Sequence, residues 1–163
     1  MSAYVELHAA SAFSFLQGAS LPEALVDRAA ELGYSALALV DRDGVYGAPR
    51  FHKAATSARI KPIIGAELTI GIETAGEAGG PAPIQWLLPV LCESQTGYRN
   101  LCRLITRMKM RAPKGEGALV LDELDGYTAG LVALAGRAAL QAGRYGVGGL
   151  LDRIVGLFGR DHV

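Results

Sequence analysis

The segment Ser35-Ala36-Leu37-Ala38-Leu39-Val40-Asp41-Arg42-Asp43-Gly44 is the most informative part of the sequence about the fold, because it joins a continuous apolar run to a charged turn. An apolar run without polar alternation is typical of a strand that is buried on both faces, as in a parallel sheet. The charged residues and Gly44 end this strand abruptly. We therefore predict a central parallel strand whose carboxyl end presents polar side chains.

Helical patterns lie on both sides of this strand. Ser20 to Glu23 has the pattern of a capping box with Pro22 in the first turn, and it predicts a helix that ends at Gly33. A second helix is predicted from Pro49 to about Ala58. The predicted strands that accompany these helices are 4–7 and 60–65. This alternation predicts right-handed βαβ units and a parallel sheet or barrel, an α/β fold.

The second half of the chain continues the alternation after an interruption. Its glycines and prolines predict a flexible surface loop over 71–83. Further strands are predicted over 84–91 and 130–136, helices over 97–110, 138–142 and 149–158, and the start of a strand at 161–163. A closed α/β barrel usually needs about 250 residues. We therefore expect residues 1–163 to form an incomplete barrel that is truncated at its C-terminal end.

Composition excludes several classes of protein. The 163 residues include 16 Lys and Arg and 16 Asp and Glu, so the formal net charge is zero and no domain-wide basic field exists for gripping nucleic acid. Half of the residues are hydrophobic, which excludes intrinsic disorder. Cys92 and Cys102 provide neither a disulfide framework nor the spacing of a metal site. The N-terminus lacks the pattern of a signal peptide, and no stretch is apolar for long enough to span a membrane. We therefore expect a cytoplasmic protein without a membrane partner.

Three predicted strands are followed by side chains that can bind a metal: His8, Asp41 and Glu67. Functional side chains in parallel α/β folds lie at the carboxyl ends of the strands, so these three are expected to meet in one crevice. An imidazole and two carboxylates are competent ligands for zinc or manganese. The alternative is that each residue only caps a helix or closes a turn.

A basic face is predicted on the helix over 97–110. Arg99, Arg103 and Arg107 follow one another at four-residue spacing and therefore share one side of the helix. Such a face can contact the phosphates of a DNA backbone. The alternative is the ordinary solvated face of an amphipathic helix.

Several segments resemble a known family. Leu7–Ser20, Leu39–Gly47 and Ile60–Glu67 resemble the beginning of a PHP domain (polymerase and histidinol phosphatase). Gly97–Thr106 is similar to the segment that follows in C-family bacterial DNA polymerases. The segments similar to the error-prone branch of these polymerases are Arg111–Gly117 and Gly130–Gly136.

The resemblance implies a distorted (β/α)7 barrel, with parallel strands and surrounding helices, at the start of a much larger polymerase subunit. The polymerase site, with its magnesium, would lie outside this chain, and the chain alone would not be catalytic. Its partners would be the rest of the polymerase, DNA through that polymerase, and other repair or replisome proteins. The implied setting is damage-induced DNA repair synthesis.

The departures from the family pattern concern the metal site. Metal-binding members begin with His-x-His, whereas this chain has His8 and Ala10. The Asp-His pair of the family is Asp41-Arg42 here, and Glu67 is retained. A guanidinium stays protonated and offers no lone pair to a metal. We therefore predict that Arg42 replaces the metal by forming salt bridges near Asp41 and Glu67, and that zinc or manganese binds weakly at best.

Two other functions remain open. The chain is alternatively a metal-dependent phosphoesterase or proofreading exonuclease that uses His8, Asp41 and Glu67, with metal-bound hydroxide attacking phosphorus. It is otherwise a stand-alone, truncated product without catalysis.

Overall fold

The computed structural model describes residues 4–71, 85–113, 116–136 and 146–163. The strands of these residues form one sheet in the order β1-β2-β3-β4-β5. Their bounds are β1 Glu6–Ala9, β2 Ala36–Arg42, β3 Lys61–Gly71, β4 Gln85–Cys92 and β5 Leu131–Ala133. The helices are α1 Pro22–Glu31, α2 Ala48–Ser57, α3 Gln95–Met110 and α4 Gly146–Phe158, with short 3-10 turns at Leu121–Leu124 and Arg160–His162.

The sheet is mixed. β1, β2 and β3 pair in parallel, as the alternation of strands and helices predicts. β4 pairs antiparallel to β3, and β5 pairs antiparallel to β4. Residues 72–84 connect β3 to β4, and an antiparallel neighbour needs no crossover helix, unlike a parallel one. The α/β class is confirmed, and the parallel arrangement applies to its first three strands.

The core explains why β2 is apolar throughout. Leu37 and Leu39 pack with α1 and α2 in one buried cluster, whereas Ala38 and Val40 pack with Leu91 in a separate cluster. Successive side chains of a strand point to opposite faces, so a strand covered on both faces has no position for a polar residue before its end. A third and larger cluster joins α3 and α4 to β3 and β4.

The start of α1 differs from the prediction. The N-cap is Leu21 and not Ser20, and no side chain caps the helix. Ser20 lies one residue earlier, where its carbonyl oxygen accepts a hydrogen bond from the N–H of Ala12 at 2.8 Å. Pro22 is the first helical residue, and Gly33 follows the helix with φ +70°, a conformation that suits glycine.

The predicted strand at residues 161–163 is wrong, because Arg160–His162 forms a 3-10 turn. Gly159, with φ +85°, ends α4, and its carbonyl oxygen accepts a hydrogen bond from the N–H of His162 at 3.1 Å. The predicted helix over 138–142 and nearly all of the predicted loop over 71–83 lie outside the described residues. None of the helices in the described ranges has the length and apolarity needed to cross a membrane.

Candidate functional site

The carboxyl ends of β1, β2 and β3 bring three of the predicted residues to one edge of the sheet. Arg42 and Glu67 occupy facing positions in the register of β2 and β3. His8, on β1, places Nε2 at 3.0 Å from Oε1 of Glu67. Of the three residues expected to meet, the structure brings together His8 and Glu67, whereas Asp41 is bonded elsewhere, to Ser11 and Ser14.

His8 and Glu67 form a hydrogen-bonded pair across the strand ends. The side chain of His8 is 48% exposed and that of Glu67 is 14% exposed. The hydrogen bond to Glu67 raises the pKa of His8, against the opposing effect of partial burial. The imidazolium form of His8 is thus favoured by its carboxylate partner.

Asp41 belongs to the opposite face of the sheet. It continues the alternation of Leu37 and Leu39 and is only 1% exposed. Oδ1 accepts hydrogen bonds from the backbone N–H of Ser11 at 2.7 Å and from Oγ of Ser14 at 2.7 Å, and Oγ of Ser11 donates to Oδ2 at 2.9 Å. This carboxylate therefore fixes the loop after β1 onto the end of β2.

Arg42 makes an ion pair that differs from the predicted one. Its Nε lies 3.8 Å from Oδ2 of Asp43, and within the described part of the chain its ion pair is with Asp43 and not with Asp41 or Glu67. Arg42 does not pair with Asp41 because successive side chains of a strand lie on opposite faces, which places the carboxylate of Asp41 on the other face of the sheet. Glu67, for its part, is held by His8.

Asp43 ties β2 to β3. It has the left-handed φ of 49°, and its backbone N–H donates to the carbonyl oxygen of Glu67 at 2.9 Å. Its carboxylate accepts hydrogen bonds from the N–H of Thr69 at 2.8 Å and from Oγ1 of Thr69 at 2.7 Å. Together with the Ser11 and Ser14 contacts to Asp41 and the His8–Glu67 pair, these bonds form what we call the strand-end network.

Sequence reasoning missed four members of this network: Ser11, Ser14, Asp43 and Thr69. The three-residue spacing of the two serines was an available signal, because it suits a single turn. In the structure the N–H of Ser14 closes that turn by donating to the carbonyl oxygen of Ser11 at 2.9 Å. Both serines are buried in a loop whose aromatic side chains are exposed, so they serve as internal donors and not as surface residues.

Among the described residues, this edge offers fewer donor atoms than a catalytic metal site normally has. His8 and Glu67 supply two ligands, whereas Ala10 has no donor atom and Arg42 has no lone pair. Asp41 faces away and its oxygens already accept hydrogen bonds from two serines. A catalytic zinc normally has three protein ligands. No cluster of three His, Cys, Asp or Glu suited to a metal occurs within residues 4–71, 85–113, 116–136 and 146–163.

The predicted arginine face lies on the exposed side of α3. Arg99, Arg103 and Arg107 are all exposed. Nε of Arg107 lies 3.5 Å from Oε1 of Glu123, and Arg111 also pairs with that carboxylate. The hydrogen bond from Arg111 is the main cause that lowers the pKa of Glu123. The end of this basic face is thus partly neutralised by an acid of the neighbouring 3-10 turn.

Comparison with known proteins identifies one family model, the PHP domain, which matches residues 6–162. An error-prone DNA polymerase of Corynebacterium efficiens is 42% identical over 165 residues, which cover 98% of this chain and 13% of that protein. The error-prone DNA polymerase of Mycobacterium tuberculosis is 52% identical over 101 residues, which cover 62% of this chain and 9% of that protein. The chain therefore spans only a small part of the length of these relatives.

A solved structure supports the fold. A protein from Bifidobacterium adolescentis, named for a proposed metal-dependent phosphoesterase activity, aligns with a TM-score of 0.51 and 16% identity. The alignment covers 68% of this chain and 34% of that one. The two share the α/β architecture of strands with surrounding helices.

Proposed function

The chain belongs to the PHP domain family, and we propose that it is the N-terminal PHP module of an error-prone DNA polymerase used in damage-induced repair synthesis. In this proposal the module is structural. Its strand-end network holds the sheet edge together where metal-binding members of the family use a cation. The similarity to error-prone DNA polymerases over 98% of the chain supports the assignment of the parent.

One observation carries the structural role: Asp41 is satisfied by protein donors. Its carboxylate is buried and accepts three hydrogen bonds of 2.9 Å or less from Ser11 and Ser14. A buried carboxylate without partners would cost several kcal/mol, so these donors remove the need for a cation at Asp41.

Arg42 supports the same role on the other face of the sheet. Arg42 faces Glu67 of β3 in the strand register, and its Nε lies 3.8 Å from Oδ2 of Asp43. A permanently charged group there supplies positive charge among carboxylates without the need to bind an ion. The polymerase reaction itself would take place in the parent, outside these residues.

The test restores the two family histidines. The variant Ala10→His/Arg42→His is compared with the original chain by calorimetric titration with zinc and with manganese. We expect the variant to gain affinity by at least about tenfold, because two imidazoles would join His8 and Glu67. The control Ala58→His/Arg103→His adds two histidines at exposed positions, one directly after α2 and one on α3, and should bind no better than the original. Equal affinity of all three proteins for zinc and manganese would overturn the proposal that the strand-end network occupies the place of the family's metal site.

A second assay of the same proteins distinguishes the structural role from the alternative of a phosphoesterase that uses His8, Asp41 and Glu67. We expect no hydrolysis of a model phosphodiester by the original chain with added manganese. Hydrolysis that requires manganese and disappears in Glu67→Ala would contradict the structural role.

The size of the native protein tests whether this chain is one module of a larger polymerase. An immunoblot of source-cell lysate with an antibody against this chain should show a band several times heavier than 17.1 kDa. A band at 17.1 kDa alone would instead establish a stand-alone product.

A further inference from the structure

A cleft of about 900 Å³ lies beside the strand-end network. Three aromatic residues and two cations contribute to its walls: Phe13, Phe15, Tyr46, Arg42 and Lys109. Neither His8 nor Glu67 lines it. We call this feature the aromatic cleft. Its walls come from the loop after β1, the end of β2 with its following turn, β3, the start of β4, and the end of α3 with the residues after it.

The rings of the aromatic cleft are unusually exposed. Phe15 is 84% exposed and Tyr46 is 63% exposed. Phe13 has the guanidinium of Arg50 at 6.0 Å from its ring centre, whereas neither Phe15 nor Tyr46 stacks on another ring in the described part of the chain. Large exposed apolar groups gathered at a concave surface mark a binding site more often than a solvated surface.

The cations of the cleft have capacity for an anion. The side chain of Arg42 makes no hydrogen bond to a described residue, and its ion pair with Asp43 is long, at 3.8 Å. Asp43 is occupied by the two hydrogen bonds from Thr69. Lys109 has no ion pair within the described ranges. Two acids also line the cleft: Asp43, whose carboxylate is occupied by Thr69, and the exposed Glu116. An anion must therefore bind between Arg42 and Lys109, away from Glu116.

We propose that the aromatic cleft binds a nucleotide unit without a metal. The planar base stacks on Phe15 or Tyr46, and the phosphate is bound by Arg42 and Lys109. Exposed aromatic faces beside cations are the recurring means of holding single-stranded nucleic acid, since every base offers a π-face and every phosphate a charge. Asp43 and Thr69 of the strand-end network and Arg42 also line the cleft, but the inference goes beyond the structural role because it rests on the exposed rings and Lys109, which the network does not include.

The experiment measures binding of the 163-residue chain to a fluorescein-labelled oligothymidylate by fluorescence anisotropy, with thymidine monophosphate and inorganic phosphate as competitors. The variants Phe15→Ala and Lys109→Ala should each weaken oligonucleotide binding by roughly tenfold, as loss of a stacked base or a phosphate contact would. The controls are Leu16→Ala, the exposed neighbour of Phe15 that does not line the cleft, and Lys53→Ala, an exposed cation of α2 that does not line it either. Arg103→Ala tests the arginine face of α3 separately. Both controls should bind like the original chain, and circular dichroism verifies that every variant is folded.

The competitors identify the source of the nucleotide. Thymidine monophosphate that competes as well as the oligonucleotide supports a free nucleotide, and much weaker competition supports a DNA strand. Inorganic phosphate should compete least, because it cannot stack. The inference is overturned if the chain shows no binding, if Phe15→Ala and Lys109→Ala bind like the original, or if only Arg103→Ala weakens binding, which would assign DNA to the arginine face of α3.

Discussion

At the scale of the residue, Asp41 has a role that its position after a strand does not reveal. A carboxylate at the carboxyl end of a parallel strand is a reasonable metal ligand, and the sequence leaves open the alternative that it only caps a helix or closes a turn. Its oxygens instead accept hydrogen bonds from Ser11 and Ser14. The side chain is a buried anchor that joins the first loop to the second strand.

The first prediction concerns that anchor. Asp41→Ala should lower the free energy of unfolding by roughly 3 kcal/mol or more, because it leaves the hydroxyls of Ser11 and Ser14 and one N–H without their acceptor. Urea unfolding followed by circular dichroism measures the loss. Asp27→Ala, at an exposed position of α1, should change stability by no more than about 0.5 kcal/mol. Similar losses in the two variants would show that Asp41 is not an anchor.

The second prediction concerns pH and the pair of His8 and Glu67. Because the hydrogen bond to Glu67 raises the pKa of His8 in the folded chain, the contribution of the pair is fully present below the unfolded value of about 6.5. That contribution is lost as the pH rises through the higher folded pKa. The urea midpoint should therefore decrease with rising pH above about 6.5.

The variant Glu67→Gln isolates this effect. It should lower the pKa of His8, measured by NMR titration of the imidazole, and remove the corresponding pH dependence of the urea midpoint. Glu31→Gln, which alters an exposed carboxylate paired with Arg28, serves as the control and should leave the titration of His8 unchanged. A His8 titration that is the same in the Glu67→Gln variant as in the original chain would exclude the pair as its cause.

At the scale of the element, the start of α3 is packed directly against the residues before β5. A Cβ atom on Gly97 would lie 1.8 Å from the carbonyl oxygen of Gly130. Gly130 itself has φ +76°, a conformation that a side chain would strain. The carbonyl oxygen of Gly130 also accepts a hydrogen bond from the N–H of Glu93 at 2.9 Å. The contact between α3 and the strand therefore depends on the absence of a side chain at Gly97.

The third prediction follows from that contact. Gly97→Ala should destabilise the chain by about 1–3 kcal/mol, because the added methyl group must displace backbone. Gly156→Ala, in α4, has no atom within 4 Å of the added Cβ and should instead stabilise the helix by about 0.5–1 kcal/mol. Thermal unfolding of both variants tests the contrast, and a Gly97→Ala variant as stable as the original chain would refute the close packing.

The elements also show what the sequence can and cannot predict. The central strand and its two helices were predictable, since the apolar run of β2 and the Pro22 and Gly33 signals are local. The antiparallel direction of β4 was not, because strand direction depends on pairing partners far along the chain. The capping box at Ser20 failed for a similar reason, since the carbonyl oxygen of that residue is bonded to Ala12 in the preceding loop.

The same limit applies to the candidate site. The rule that parallel strands end at one edge predicted that His8, Asp41 and Glu67 would meet, and the structure pairs His8 with Glu67 but not with Asp41. The ion-pair partner of Arg42 could not be predicted, because Asp41 and Asp43 are equally near in sequence. Only the strand alternation and the turn at Asp43 distinguish them. The aromatic cleft was also beyond prediction, since its walls come from five separate segments of the chain.

At the scale of the whole molecule, the chain combines a PHP family fold with a strand-end edge that is closed by its own side chains. His8 is held by Glu67, Asp41 by two serines, and Asp43 by Thr69. A network of this kind stabilises the folded state without a ligand, so stability should not depend on metal concentration. A bound metal, by contrast, would stabilise the chain in proportion to its occupancy.

Metal content and its effect on the Tm are therefore the strongest test of a strand-end network that needs no metal. The purified chain is incubated with zinc or manganese, dialysed, and analysed by mass spectrometry of the metals, and its Tm is then measured with and without EDTA. We predict far less than one metal ion per chain and the same Tm in both conditions. One tightly bound ion per chain, together with a lower Tm after EDTA treatment, would show that the folded chain is stabilised by a metal and not by the strand-end network alone.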